Sequence, residues 1–308
     1  MSRAPWIVTA LAALGGVALV VAVLTLGPDA TATGARTAVP AGAMVGAGPT
    51  AVGSGGAQAS TAPAVETGEP ANTTSYDTAS LPQIDVWTVS PALPVDDDPF
   101  GAVTGELAQP LSAAPIFAEP SADPGAQPIG YLPREAAYGG KIVPVVVHDS
   151  HWVKVLLAGR QGLPPEGSAA QAVGWLRVAD VELTRAESFV EVHLEARTID
   201  IVTAAGRERV ASDFAWGKPS TPTPVGRTFV MLTRVVPEFA YTMGHPLVYL
   251  GVQSPTLAGF DGGEVAVTAF HYYRERSGPN SFGCIYLDGA ATDRLAQLPD
   301  GTPVLIQP

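Results

Sequence analysis

Residues 281–287 read SFGCIYL and contain Cys284, the only cysteine among 308 residues. A nucleophilic cysteine needs a base that can take its proton and backbone donors that can hold an oxyanion. His271, at the end of a predicted strand, is close enough in the chain to supply the base. Gly283 allows a sharp turn, so the amides near Phe282–Cys284 can form an oxyanion pocket. A lone cysteine in an apolar stretch is also a common buried packing residue, so both interpretations stay open at this point.

The amino terminus carries an uncharged apolar run over residues 7–26. At 1.5 Å per residue such a helix spans roughly 30 Å, the thickness of a bilayer's hydrocarbon core. A cleavable signal peptide has a shorter apolar core, so we expect a membrane anchor over 1–27, although Ala30-Thr31-Ala32 offers a cleavage site for a secreted form. Arg3 precedes the run, which predicts a single-pass protein of the cell membrane whose carboxy-terminal domains are exported.

The formal net charge of −12 argues against a polyanionic partner. Nucleic acid is not expected, because its phosphates would be repelled by this surface. A single cysteine also excludes an internal disulfide, so the stability of the folded part has to come from packed cores. These features suit an exported protein that acts on something other than a polyanion.

The middle of the chain changes composition near residue 114. Residues 28–113 are mostly Ala, Gly, Pro, Thr and Ser, which predicts a disordered tether with a reach on the order of 50 Å. Beyond it, two β-branched runs at 142–147 and 152–157 flank a His-Asp-Ser-His turn. The pattern resembles a bacterial SH3-like barrel over 114–184. His148 and His151 in that turn form either a metal pair or a solvated hairpin turn, and the turn is favoured because nothing nearby completes a metal site.

The last part of the chain also predicts strands. Apolar residues alternate with polar ones over residues 190–195, as in a half-buried strand. Further strands are expected at 247–252, 264–270 and 302–306, and a short helix at 290–298. The fold class is therefore mostly β, with one or two short helices.

Four separated motifs occur in a particular order: GKPSTPTPVGRTF at 217–229, FDGGEVAVTAFH at 260–271, SFGCI at 281–285 and GTPVLI at 301–306. This order resembles the L,D-transpeptidases of the YkuD type. The resemblance implies a β-sandwich catalytic domain over 185–308.

The resemblance also implies roles for individual residues. Cys284 corresponds to the nucleophile, His271 to the general base, and Ser281, Phe282 and Gly283 to the turn that supports the thiol. The implied substrate is a peptidoglycan stem peptide, which forms a thioester and then a 3→3 cross-link. Neither a metal nor a cofactor is implied, and carbapenem-type β-lactams are implied inhibitors. An imidazole beside the thiol would hold the pKa of the thiol below its usual value of about 8.5.

The sequence departs from the family pattern at positions expected to contact substrate. Tyr272 and Phe282 replace the usual residues, and Tyr286 stands where an arginine is usual. A tyrosine recognises a carboxylate poorly, which predicts a preference for amidated stem peptides. His245 either lines the cleft or serves at a strand entry. Three functions stay open: an active transpeptidase, a divergent thioester catalyst with another acceptor, and an inactive cell-wall-binding relative.

Overall fold

The computed structural model describes residues 68–308. The anchor predicted over 1–27 and the first part of the predicted tether lie outside the described residues. Within 68–308, no helix has the length and apolar character that crossing a membrane requires.

Strands dominate the described chain, so the predicted mostly-β class is confirmed. One α-helix, α1 (Gly289–Leu295), and three 3-10 turns accompany them within residues 68–308. The strands are β1 (Glu106–Pro110), β2 (Ala114–Ile116), β3 (Gly130–Leu132), β4 (Val143–His148), β5 (Trp152–Leu157), β6 (Ala172–Arg177), β7 (Val181–Arg185), β8 (Ser188–His193), β9 (Thr198–Thr203), β10 (Gly206–Ala211), β11 (Ala215–Gly217), β12 (Gly226–Arg234), β13 (Leu247–Gln253), β14 (Val267–Tyr272), β15 (Gly278–Ser281), β16 (Ile285–Leu287) and β17 (Pro303–Gln307).

A five-stranded sheet has the order β6-β5-β4-β1-β7. Its strand β1 comes from the segment predicted as a disordered tether and pairs with both β4 and β7. The side chains of Ile84, Val86 and Leu93 from the same segment are buried in the core beneath this sheet. The prediction of a tether over 28–113 is therefore wrong from residue 68 onward. These few large apolar side chains bury enough surface to order the segment, although the segment as a whole is poor in such residues.

The same segment is also bonded to the carboxy-terminal part of the chain. The guanidinium of Arg227 pairs with Asp96 through two contacts of 2.7 and 2.8 Å, and both side chains are buried. The amide of Gln253 donates to the carbonyl oxygen of Val86 at 2.8 Å. The SH3-like barrel over 114–184 and the boundary to a catalytic domain over 185–308 stay predictions.

A ten-stranded sheet has the order β10-β9-β8-β17-β12-β13-β14-β16-β11-β15. In its centre β14 and β16 run parallel, with Phe270 opposite Ile285 and His271 opposite Tyr286. Parallel neighbours need a connection that returns to the starting edge of the sheet. Residues 273–284 provide that return and include β15.

The two faces of β14 have different surroundings. On one face, Phe270 packs in a core with Ile285 of β16 and Leu295 of α1. On the other face, Val267 packs against the core of the five-stranded sheet. Because side chains alternate along a strand, His271 shares the face of Val267.

Candidate active site

The predicted nucleophile and base lie on neighbouring segments of the ten-stranded sheet. His271 in β14 is directly opposite Tyr286 in the parallel strand β16. Cys284 lies outside β16, in the turn directly before it. The two residues that the sequence singled out are thus carried by β14 and by the turn that leads into its neighbour.

The imidazole of His271 is oriented by its own strand. Its Nδ1 atom lies 2.9 Å from the carbonyl oxygen of Tyr272. A carbonyl oxygen only accepts hydrogen bonds, so Nδ1 carries the hydrogen and Nε2 is left as the proton acceptor. The residue is only 1% exposed, and burial lowers the pKa of His271 to about 4. The imidazole is therefore neutral at pH 7.

The thiol of Cys284 is also buried. Its Sγ atom lies 4.0 Å from the carbonyl oxygen of Val267, and the residue is 7% exposed. Burial raises the pKa of Cys284 to about 11, because a thiolate loses more solvation than a thiol. The sequence-based expectation of a thiol pKa below 8.5 is wrong here. The thiol is therefore protonated at pH 7.

Tyrosine rings surround the imidazole. The ring centroids of Tyr286 and Tyr241 lie 4.8 and 5.6 Å from that of His271. Tyr273 packs against Tyr286 at 4.6 Å. The hydroxyl of Tyr241 is buried without a hydrogen-bond partner, and burial raises the pKa of Tyr241. Sequence reasoning missed Tyr241 and Tyr273, since neither lies in one of the four motifs.

Ser281 closes the turn before the nucleophile. Its hydroxyl donates to the carbonyl oxygen of Cys284 at 2.5 Å and accepts from the amide of Gly283 at 3.1 Å. Gly283 has a φ of 114°, a conformation that favours glycine. The Gly283 amide, one of those predicted to form an oxyanion pocket, is thus already engaged inside the turn.

The proline-containing loop at 218–225 braces this turn from outside. The Thr223 hydroxyl donates to the carbonyl oxygen of Gly283 at 2.8 Å. The Thr221 hydroxyl and the Lys218 amide donate to the carbonyl oxygen of Ser281, at 3.1 and 3.0 Å. The first and third motifs are therefore in direct contact.

Two predicted substrate contacts lie elsewhere. Tyr272 follows His271 in β14, so its side chain points to the opposite face of the sheet. There it stacks on His245 at 5.0 Å, and Nδ1 of His245 lies 2.7 Å from Asp293 of α1. Tyr272 and His245 thus lie on the face of β14 against which α1 packs, and their role in substrate binding stays a prediction.

The described residues contain no group of His, Cys, Asp and Glu arranged to hold a metal ion. In the hairpin between β4 and β5, Nδ1 of His148 lies 2.7 Å from a carboxylate oxygen of Glu106 in β1. The interpretation of this turn as a metal pair therefore has no support within residues 68–308.

No family model and no curated protein matches this chain. Among solved structures, it is similar to an L,D-transpeptidase from Mycobacterium smegmatis, with 14% identity and a TM-score of 0.30 over 51% of this chain and 91% of that one. Similarity to the catalytic domain of an enzyme from E. faecium has 24% identity and a TM-score of 0.26, over 39% of this chain and 97% of that one. A protein from Stackebrandtia nassauensis has 17% identity and a TM-score of 0.28, over 40% of this chain and 56% of that one.

Each of the three is an L,D-transpeptidase. At these TM-scores and identities the similarities establish neither the family nor the activity of this chain. The functional conclusion has to rest on the site itself.

Proposed function

We propose that this protein is a peptidoglycan L,D-transpeptidase that forms 3→3 cross-links through a thioester on Cys284. The observation that supports the proposal is the position of Cys284 in the turn directly before β16, which pairs in parallel with β14, the strand that carries His271. The hydrogen bond from Nδ1 of His271 to the carbonyl oxygen of Tyr272 leaves Nε2 as the base. The four ordered motifs of the sequence support the same reaction.

In the first half-reaction, Sγ of Cys284 attacks the carbonyl carbon of the third residue of a stem peptide. Its proton passes to Nε2 of His271, and the imidazolium returns that proton to the departing amine of the terminal D-alanine. In the second half-reaction, a side-chain amine of a neighbouring stem attacks the thioester carbonyl. His271 takes a proton from this amine and returns it to the departing sulfur, which regenerates the thiol.

Burial decides how the proton moves. With the pKa of the thiol raised to about 11 and that of the imidazole lowered to about 4, a resting thiolate–imidazolium pair is unfavourable. Proton transfer therefore accompanies carbon–sulfur bond formation, when negative charge passes on to the substrate carbonyl oxygen. The buried site needs neither a metal nor a nucleotide for these steps.

The proposed setting is the exported side of the cell membrane, with the predicted apolar segment at 7–26 as the anchor. Solved L,D-transpeptidases include one in complex with imipenem and one described as an avibactam carbamoyl enzyme. For this chain, we propose on the basis of its sequence motifs that carbapenem-type β-lactams acylate Cys284.

The test is intact-mass spectrometry of the protein with imipenem, together with release of D-alanine from a tetrapeptide stem. We expect one adduct per chain on the wild type, none on Cys284→Ser, and slower formation on His271→Gln. D-alanine release should follow the same order. An adduct that persists in Cys284→Ser, or a wild type that neither forms an adduct nor releases D-alanine, would overturn the proposal.

The burial of the site supports a second candidate, a cell-wall-binding protein without catalysis. His271 and Cys284 are 1% and 7% exposed, so a substrate reaches them only if the side chains that cover them move aside. In that case wild type and Cys284→Ser would sediment equally with purified peptidoglycan, and neither would release D-alanine.

A further inference from the structure

Carboxylate recognition beside Cys284 needs a cation, and position 286 does not supply one. The ring of Tyr286 packs between the rings of His271 and Tyr273, at 4.8 and 4.6 Å. Tyr286 is half-buried between these rings. The side chain that was expected to select the substrate is therefore a packed neutral ring that supplies no charge to a carboxylate.

A different cation lies at the turn. The ammonium nitrogen of Lys218 lies 4.0 Å from the centre of the Phe282 ring. The backbone amide of Lys218 donates to Ser281 at 3.0 Å, which fixes the lysine to the turn that carries the nucleophile. Lys218 takes part in none of the ion pairs between arginine or lysine and a carboxylate within residues 68–308. Its charge is therefore balanced by a ring face and solvent.

Phe282 gives this cation an apolar neighbour at the exposed edge of the turn before Cys284, which we call the rim. The phenylalanine is 39% exposed although it lies two residues before the buried Cys284. Its ring meets the edge of Phe260 at 5.8 Å, so two motifs contribute to the same rim. A cation above an exposed ring offers one group that attracts an anion and one that covers an alkyl chain.

We propose that Lys218 and Phe282 form a subsite for a free carboxylate of the acyl donor. The inference rests on the proposed function and names the recognition element of that site. A donor with a terminal carboxylate has to approach a protein of net charge −12. An unpaired ammonium at the rim offsets that repulsion locally, whereas an amidated donor gains nothing from it.

The subsite reverses the specificity expected from Tyr286 alone. Replacement of the usual arginine by tyrosine predicts a preference for amidated stems, because position 286 loses its charge. With Lys218 at the rim, the free-acid donor is preferred instead.

The experiment measures binding apart from chemistry. Free-acid and amidated tetrapeptide stems are titrated against the full-length Cys284→Ser protein and against the same protein with Lys218→Gln. We expect Lys218→Gln to weaken binding of the free-acid stem about 10- to 30-fold, the lower part of the range for a charge-assisted contact, and to leave the amidated stem unchanged. Lys218→Arg should keep the preference for the free acid.

The matched control is Arg274→Gln, which removes the same charge from an exposed side chain on the return segment between β14 and β16. It should leave the preference unchanged. Equal affinities for both stems in the Cys284→Ser protein, or an equal loss on both stems in Lys218→Gln, would overturn the subsite. Preference without thioester formation by the wild type would leave the subsite standing and reject the transpeptidase.

Discussion

At the scale of single residues, burial changes the chemistry of the Cys284–His271 pair. Proximity of a thiol and an imidazole suggests an ion pair when only the sequence is known. In the folded protein, desolvation raises the pKa of the thiol and lowers that of the imidazole, so both groups are neutral. A resting thiolate–imidazolium pair is therefore unfavourable in this protein.

The buried imidazole predicts a loss of stability in mild acid. The folded state keeps His271 neutral down to a pKa of about 4, whereas the unfolded value is 6.5. Between these values the unfolded chain binds more protons, so the free energy of unfolding falls as the pH falls. We expect His271 to account for a loss of about 2 kcal/mol between pH 8 and pH 5.

Urea unfolding at both pH values checks this expectation. In His271→Gln, the part of the stability loss that titration of His271 causes should be absent, which is about 2 kcal/mol. The control His193→Gln changes a partly exposed histidine in β8 and should keep the wild-type difference. An unchanged difference in His271→Gln would mean that the imidazole is not buried in the neutral form.

At the scale of elements, the turn at 281–284 owes its shape to a neighbouring loop. The Thr223 hydroxyl accepts from the Gly217 amide at 2.9 Å and donates to the Gly283 carbonyl oxygen at 2.8 Å. Thr223 is 4% exposed, so neither partner would find water readily if the hydroxyl were lost. The loop and the turn thus form one unit.

Thr223→Val removes this brace with little change in side-chain shape. Two buried backbone groups lose their partner, at roughly 1–3 kcal/mol each, so we expect a loss of about 2–4 kcal/mol in the free energy of unfolding. The control Thr256→Val removes an exposed hydroxyl that donates to Ser220 at 3.2 Å, and it should change stability by less than about 0.5 kcal/mol. Equal losses in the two variants would show that Thr223 does not support the turn.

At the scale of the whole molecule, segments distant in sequence share cores. Strand β1 is inserted between β4 and β7, and Arg227 of β12 is paired with Asp96 upstream of β1. Val267 of β14 packs against the core of the five-stranded sheet, on the face of β14 that also carries His271. The site therefore borders the contact between the two sheets.

Truncation tests this arrangement. A fragment beginning at residue 113 should fail to fold cooperatively, because it lacks β1 and the buried side chains of Ile84, Val86 and Leu93. At about 1.5–3 kcal/mol for each of those three side chains, their loss approaches the stability of a typical domain. A fragment of residues 68–308 should unfold in one transition by circular dichroism. Identical unfolding midpoints for both fragments would contradict the role assigned to residues 68–112.

The sequence by itself determined the mostly-β class. Alternating β-branched residues predicted strands such as Trp152–Leu157 at their observed bounds. The short helix expected at 290–298 is found at Gly289–Leu295, where the Asp288 side chain accepts a hydrogen bond from the Ala291 amide at 2.8 Å. These signals are local, since strand alternation and helix capping depend on neighbours a few residues away.

Tertiary structure alone decided which side chains share the site. Tyr272 is adjacent to His271 in sequence yet faces α1, whereas Tyr241 lies thirty positions upstream and its ring meets the imidazole at 5.6 Å. The buried part of the predicted tether and the neutral state of the pair were likewise invisible in the sequence. Pairing partners and desolvation depend on contacts between distant segments, which no local pattern encodes.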